Sequence, residues 1–187
     1  MINTREVTDR RKLKITSIKD IEDDVERIVA ADSSGNLRQT GNWTPGQAFG
    51  HLAAWINYAY DGYPFKFPWI GRLLIRRFLP KILASDMRPG FRIAKNESGT
   101  HGVERISTHE GQRRYTKALH RLKTREPANH DSPVFGKMTD DQRIQLNLRH
   151  AELHLSFFHP EAPESNPHQA IADIIHQRGY EHENEEP

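Results

Sequence analysis

Residues 139–158 read TDDQRIQLNLRHAELHLSFF, and the way this stretch is folded decides the rest. At roughly 100° per residue, Leu146, His150, Leu153, His154 and Phe157 fall on one face of a helix. Thr139 followed three residues later by Gln142 is a capping-box start, so the spacing predicts a helix over 139–158 that stops before His159-Pro160. His150 lies central to the apolar stripe and His154 toward one side of it. A pair at i and i+4 stands one above the other on a helix face, so both imidazoles can grip one ion.

A third histidine stands in a second stretch of the same kind, TPGQAFGHLAAW at 44–55. Thr44, Pro45 and Gln47 give an N-cap, a proline at the first helical position and a reciprocal N3 residue. Ala48, Phe49, Leu52, Ile56 and Ala59 form the apolar stripe, and Gly62 and Pro64 end a helix over 44–61. His51 sits at the border of that stripe, one turn before Trp55. Two further helices are predicted. One covers 17–32, capped by Ser17 and Asp20; the other covers 107–124, with Ser107 and Glu110 as its cap. No stretch alternates like a strand for more than a few residues, so the chain reads as an all-α helix bundle.

A long excursion separates the second and third helices, from Tyr63 to about Ile106. It holds a helix candidate from Trp69 to Ala84, which Pro80 kinks or cuts short. The segment 70–81 carries Arg72, Arg76, Arg77 and Lys81 without an acidic residue. Such a segment could lie on a membrane or hold an anion. The commoner arrangement packs Leu73, Leu74, Phe78 and Leu79 on the bundle with the charges reaching outward. A last short helix is expected from Asn166 to Gln177. Residues 1–180 then form one domain, and 181–187 a charged, disordered tail.

Composition narrows the function classes. With 27 basic against 25 acidic residues there is no general polyanion surface. Neither a nucleic acid nor a membrane is an expected partner. There is no cysteine, hence no disulfide, thiolate nucleophile or cysteine metal ligand. The basic N-terminus lacks the apolar core of a secretory signal, and a cytoplasmic location is expected.

Three neutral imidazoles suit zinc, nickel, copper or iron. Chance matters, however: with 11 histidines in 187 residues, a lone HxxxH pair is a weak pattern. On the residues alone, a metal site and a set of packing histidines both stand. Trp43 and Trp55 flank the first histidine and suit either a pocket wall or a core.

Five blocks carry a resemblance: RRKLKITSIKD (10–20), GNWTPGQAFGHLA (41–53), MRPGF (87–91), SPVFGKMTDDQ (132–142) and LRHAELHLSFF (148–158). In order and spacing they resemble the DinB-like, or YfiT-like, superfamily of metal-binding four-helix bundles, within it a bacterial subfamily of unknown function. The resemblance implies a bundle with a long excursion between its second and third helices. It also implies one divalent ion, zinc or nickel, held by His51, His150 and His154. Related sequences often carry a histidine immediately before a proline ahead of the last helix. Here the order is His130-Asp131-Ser132-Pro133, which leaves His130 without a role.

Superfamily members with known activity are mostly thiol-dependent S-transferases and isomerases. The resemblance therefore implies a low-molecular-weight thiol as a second cofactor and a small-molecule substrate, while a homodimer stays open. Two rivals stay open: a metal-dependent hydrolase, and a non-enzymatic metal-binding or stress-response module. A hydrolase needs a general base, and of the nearby carboxylates Glu152 points away from the histidine face while Glu161 lies beyond the helix. No catalytic residue is assigned.

Overall fold

The computed structural model describes residues 2–90 and 100–161. The expected helix at 166–177 and the tail at 181–187 lie outside them. Six helices follow in chain order: α1 Ile18–Ser33, α2 Pro45–Asp61, α3 Trp69–Arg76, α4 Leu79–Ala84, α5 Thr108–Lys123 and α6 Asp140–Leu155. The chain is mostly helical, and the four long helices start where their caps predict. Ser17, Thr44 and Thr139 each accept the N3 backbone N–H while the N3 side chain returns to the cap, closing full capping boxes. At Ser107 only half the box forms. Ser107 accepts from the Glu110 N–H, but the Glu110 carboxylate is engaged by Arg113 and Arg114 instead.

One core joins α1, α2, α5 and α6, with Ile21, Ile28, Phe49, Leu52, Tyr115, Leu119, Leu148 and Leu155 among its buried members. Helices α2 and α5 approach most closely, at their N-terminal ends. A Cβ on Gly46 would stand 2.2 Å from the Ile106 carbonyl oxygen, and one on Gly111 2.7 Å from that of Gly46. Only backbone fits between these helices, so glycine is required on both sides of the contact.

The last long helix ends earlier than its sequence pattern suggests. Instead of continuing to 158, α6 stops at Leu155, and Phe158–Pro160 form strand β2. It pairs antiparallel with β1, Leu37–Gln39, in the register Leu37 to Pro160 and Gln39 to Phe158. The carbonyls of Ser156 and Phe157 accept from the backbone N–H groups of Arg11 and Thr40. Partners distant in sequence thus satisfy carbonyls that the end of a helix would leave open.

The N-terminal segment 10–16 is bound by one ion pair and by a backbone hydrogen bond to a buried carboxylate. Arg11 chelates the buried Asp24 at 2.8 and 2.7 Å and donates to the Leu155 carbonyl. Glu152, also buried, accepts the Ile15 N–H at 2.6 Å and pairs with Arg149. The charged half of the RRKLKITSIKD block is therefore a clasp across α1 and α6.

The excursion departs most from expectation. Instead of one helix cut at Pro80 it is two, α3 and α4, broken at Arg77-Phe78, with Pro80 inside the first turn of α4. Leu79 is buried, but Leu73, Leu74 and Phe78 do not pack on the core; they are 65%, 64% and 58% exposed. Among the described residues no helix is long and apolar enough to cross a membrane.

Candidate metal centre

Helix α6 is lined on two sides, and the two sides differ. Leu148, Ala151 and Leu155 enter the shared core. The face expected to be core, with Leu146, His150, Leu153, His154 and Phe157, lines a large open cavity of about 1840 Å³. The apolar stripe read from the sequence is thus a pocket wall. Glu152 points away from it, as expected, and is held in the clasp described above.

The structure brings His51, His150 and His154 together. Helix α2 delivers His51 in its second turn, and the final turns of α6 deliver the other two. Their ligand nitrogens all lie within 4.8 Å of one another. His150 Nε2 stands 3.2 Å from His51 Nε2 and 3.0 Å from His154 Nε2. Tetrahedral ligation at zinc-type bond lengths of about 2.0–2.1 Å spaces neighbouring ligand nitrogens by about 3.3 Å, within a few tenths of an ångström of these distances.

Proton counting makes the same point. The His101 carbonyl, 2.8 Å from His51 Nδ1, can only accept, so Nδ1 carries the proton and Nε2 of the neutral ring presents a lone pair. His150 Nε2 cannot donate one proton fully to two nitrogens, so three imidazoles alone leave the cluster short of hydrogen bonds. A cation accepting three lone pairs removes the conflict. The residues fit a divalent ion. A backbone carbonyl behind a ligating histidine is also the usual support that orients the ring and selects its tautomer.

Electrostatics keep the rings in the ligating form. Burial pushes His51 down to about 4, with the His101 carbonyl offsetting part of the shift. His150 and His154 lie well below the ordinary histidine value, first through burial and then through the neighbouring imidazoles. All three are neutral at pH 7, as metal ligation requires.

Trp43 and Trp55 wall this site. Trp43 stacks on His154, with centroids 5.0 Å apart and planes 11° apart, and leans on His51. Trp55 contacts both His51 and His150. Phe65 stacks on His101 at 5.6 Å and touches Trp55, extending the aromatic wall into the excursion. Tyr63 lines the cavity, and burial pushes its phenol up to about 12. His130 is elsewhere: its side chain is exposed and its N–H donates to the Ala59 carbonyl. His176 and His182 lie outside the described residues.

Two residues of the site were not singled out from sequence. His101 contributes a backbone carbonyl, which no side-chain pattern reveals. Gly102 makes that contribution possible. Its φ is +77°, and a Cβ there would lie 2.7 Å from Ala54 Cβ, so a side chain would push the loop off α2. The local signal was a glycine directly after a histidine in the loop ahead of α5.

The sequence model of a family described as a protein of unknown function (DUF1569) matches residues 7–161, which include all three histidines. The curated proteins and the solved structures offer no match. The chain belongs to the DUF1569 family.

Proposed function

We propose that this DUF1569 protein binds one divalent metal ion through His51, His150 and His154 and uses it to activate a small-molecule thiol for transfer to an electrophile. The observation that carries this reading is the convergence of three imidazoles on the wall of a cavity, with His51 and His154 each placing Nε2 3.0–3.2 Å from His150 Nε2 and all three ligand nitrogens within 4.8 Å of one another. The resemblance to DinB-like proteins supports a four-helix core with this donor set, and supports the thiol as co-substrate. An all-imidazole set suits zinc, nickel, copper or iron, and the resemblance favours zinc or nickel among them.

An ion held by neutral ligands keeps its full positive charge and would favour the anionic form of a thiol or water beside it. The chain's own residues contribute the rest. His101 and Gly102 fix the His51 ring. Trp43 and Trp55 keep a low-dielectric wall against the imidazoles. Asn147, Tyr63 and Arg143 line the cavity and can donate hydrogen bonds to a bound ligand. The chain has no cysteine, so the thiol comes from the second substrate.

Transferase is favoured over hydrolase by what lines the cavity. Among the described residues its only carboxylate is Asp86, exposed in the segment after α4. Water activation calls for a general base close to the ion. A thiol, far more acidic than water, asks for less assistance.

Elemental analysis of protein purified without metal-affinity resin is expected to find about one transition-metal ion per chain. Electrophile consumption should then require both metal and added thiol. Consumption by the metal-loaded protein without thiol would replace the reading with a hydrolase. A metal-loaded protein inert under both conditions would leave a binding or stress-response module.

A further inference from the structure

Helix α3 is mounted with its greasy side out. Trp69, Ile70, Leu73 and Leu74 form one arc of it and are 58–68% exposed, and Phe78 and Phe67 extend the patch on either side. Its arginine edge lies against the surface turn at 135–137. Arg76 donates to the carbonyls of Phe135 and Lys137 at 2.6 and 2.5 Å, and Arg72 lies beside Gly136. Ile75, on another edge, lines the cavity. A helix that served only the fold would bury Leu73 and Leu74. A contiguous apolar patch of this kind marks an interaction surface.

The charge around it selects the partner. From Gly62 to Ser85 there is no acidic residue, whereas Lys66, Arg77 and Lys81 are exposed beside the patch. Exposed aromatic and leucine side chains rimmed by lysine and arginine match an anionic bilayer surface, with the apolar arc sunk among the acyl chains and the basic groups at the phosphates. A second copy of this face offers nothing complementary, since pairing would set Arg77 and Lys81 against like charges.

We infer that α3 and the start of α4 seat this protein on anionic lipid membranes, as a peripheral anchor rather than a span. The expectation that a membrane is no partner rested on overall charge and on Leu73 and Leu74 being packed, and the structure removes the second support.

Full-length protein should co-sediment with phosphatidylcholine vesicles containing phosphatidylglycerol and much less with phosphatidylcholine alone. High salt should release it. The double substitution Leu73→Glu, Leu74→Glu should weaken partitioning about tenfold or more with an unchanged melting temperature. Trp69→Phe should abolish any vesicle-induced blue shift of tryptophan emission. Failure to sediment with anionic vesicles overturns the inference, as does equal binding to neutral ones. A sharp fall in melting temperature in the Glu variant would show the patch covered by the chain's own C-terminal segment. A dimer that the same variant dissolves, without vesicle binding, would assign the patch to a second copy.

Discussion

His154 separates a ligand from a packing histidine. It is one of three convergent imidazoles, it stacks on Trp43, and it belongs to a helix whose core contacts are made by other residues, Leu148, Ala151 and Leu155. His154→Ala should therefore abolish stoichiometric metal binding. It should cost only about 1–2 kcal/mol when chelator-treated wild type and variant are compared by thermal unfolding. Collapse of the variant in that comparison would make the histidine cluster structural, and retained metal would make His154 a packing residue. Gly102→Ala is the companion test. The added methyl meets Ala54 Cβ at 2.7 Å at a φ of +77°, displacing the His101 carbonyl from His51. Metal affinity is expected to fall about 10–100-fold, the usual consequence of losing support behind a ligand. Isothermal titration with zinc would measure it, and an unchanged affinity would remove His101 from the site.

Among elements, the decisive contact is between α2 and α5. Alanine at position 46 would improve helix propensity by up to about 1 kcal/mol. It would also drive a Cβ to 2.2 Å from the Ile106 carbonyl oxygen, and backbone cannot step aside as a flexible side chain can. The clash wins. Gly46→Ala should destabilise by about 3 kcal/mol, lowering Tm by about 10 °C in calorimetry. Because α2 also carries His51, the variant should bind metal more weakly, whereas a substitution at Gly35, with open space around its Cβ, should leave metal binding unaffected. Equal stability of Gly46→Ala and wild type would mean that the helices can separate at no cost.

At the scale of the whole molecule the buried imidazoles govern the response to acid. The His51 value falls from 6.5 to about 4 on folding, so between those limits the unfolded chain binds more protons than the native one. Stability therefore rises with pH through this window: it is fully present above about 6.5 and lost as pH falls toward 4. His51 alone contributes about 3 kcal/mol, and the depressed His150 and His154 act in the same direction. Metal-free protein should show its urea midpoint dropping steeply below pH 6.5, and the triple His→Ala variant should flatten that segment of the profile. A profile identical in the two proteins would mean that the histidines are not buried as neutral rings.

Much of this protein is written locally. Ser17, Thr44, Ser107 and Thr139 mark where the long helices begin, because a cap acts within one turn. The i, i+4 spacing of His150 and His154, and the place of His51 one turn before Trp55, are likewise local facts, so three candidate ligands could be named before their geometry was known. Tertiary structure alone decided that Phe158 leaves the helix for a strand with Gln39, because the competing hydrogen-bond partners lie far away in sequence. It also turned the apolar face of α6 toward a cavity, since periodicity reports that a face is apolar and not what lies opposite it. The same holds for Leu73 and Leu74 and for the His101 carbonyl. Which way a short helix rolls, and which backbone oxygen meets an imidazole, depend on contacts among segments that no local pattern encodes.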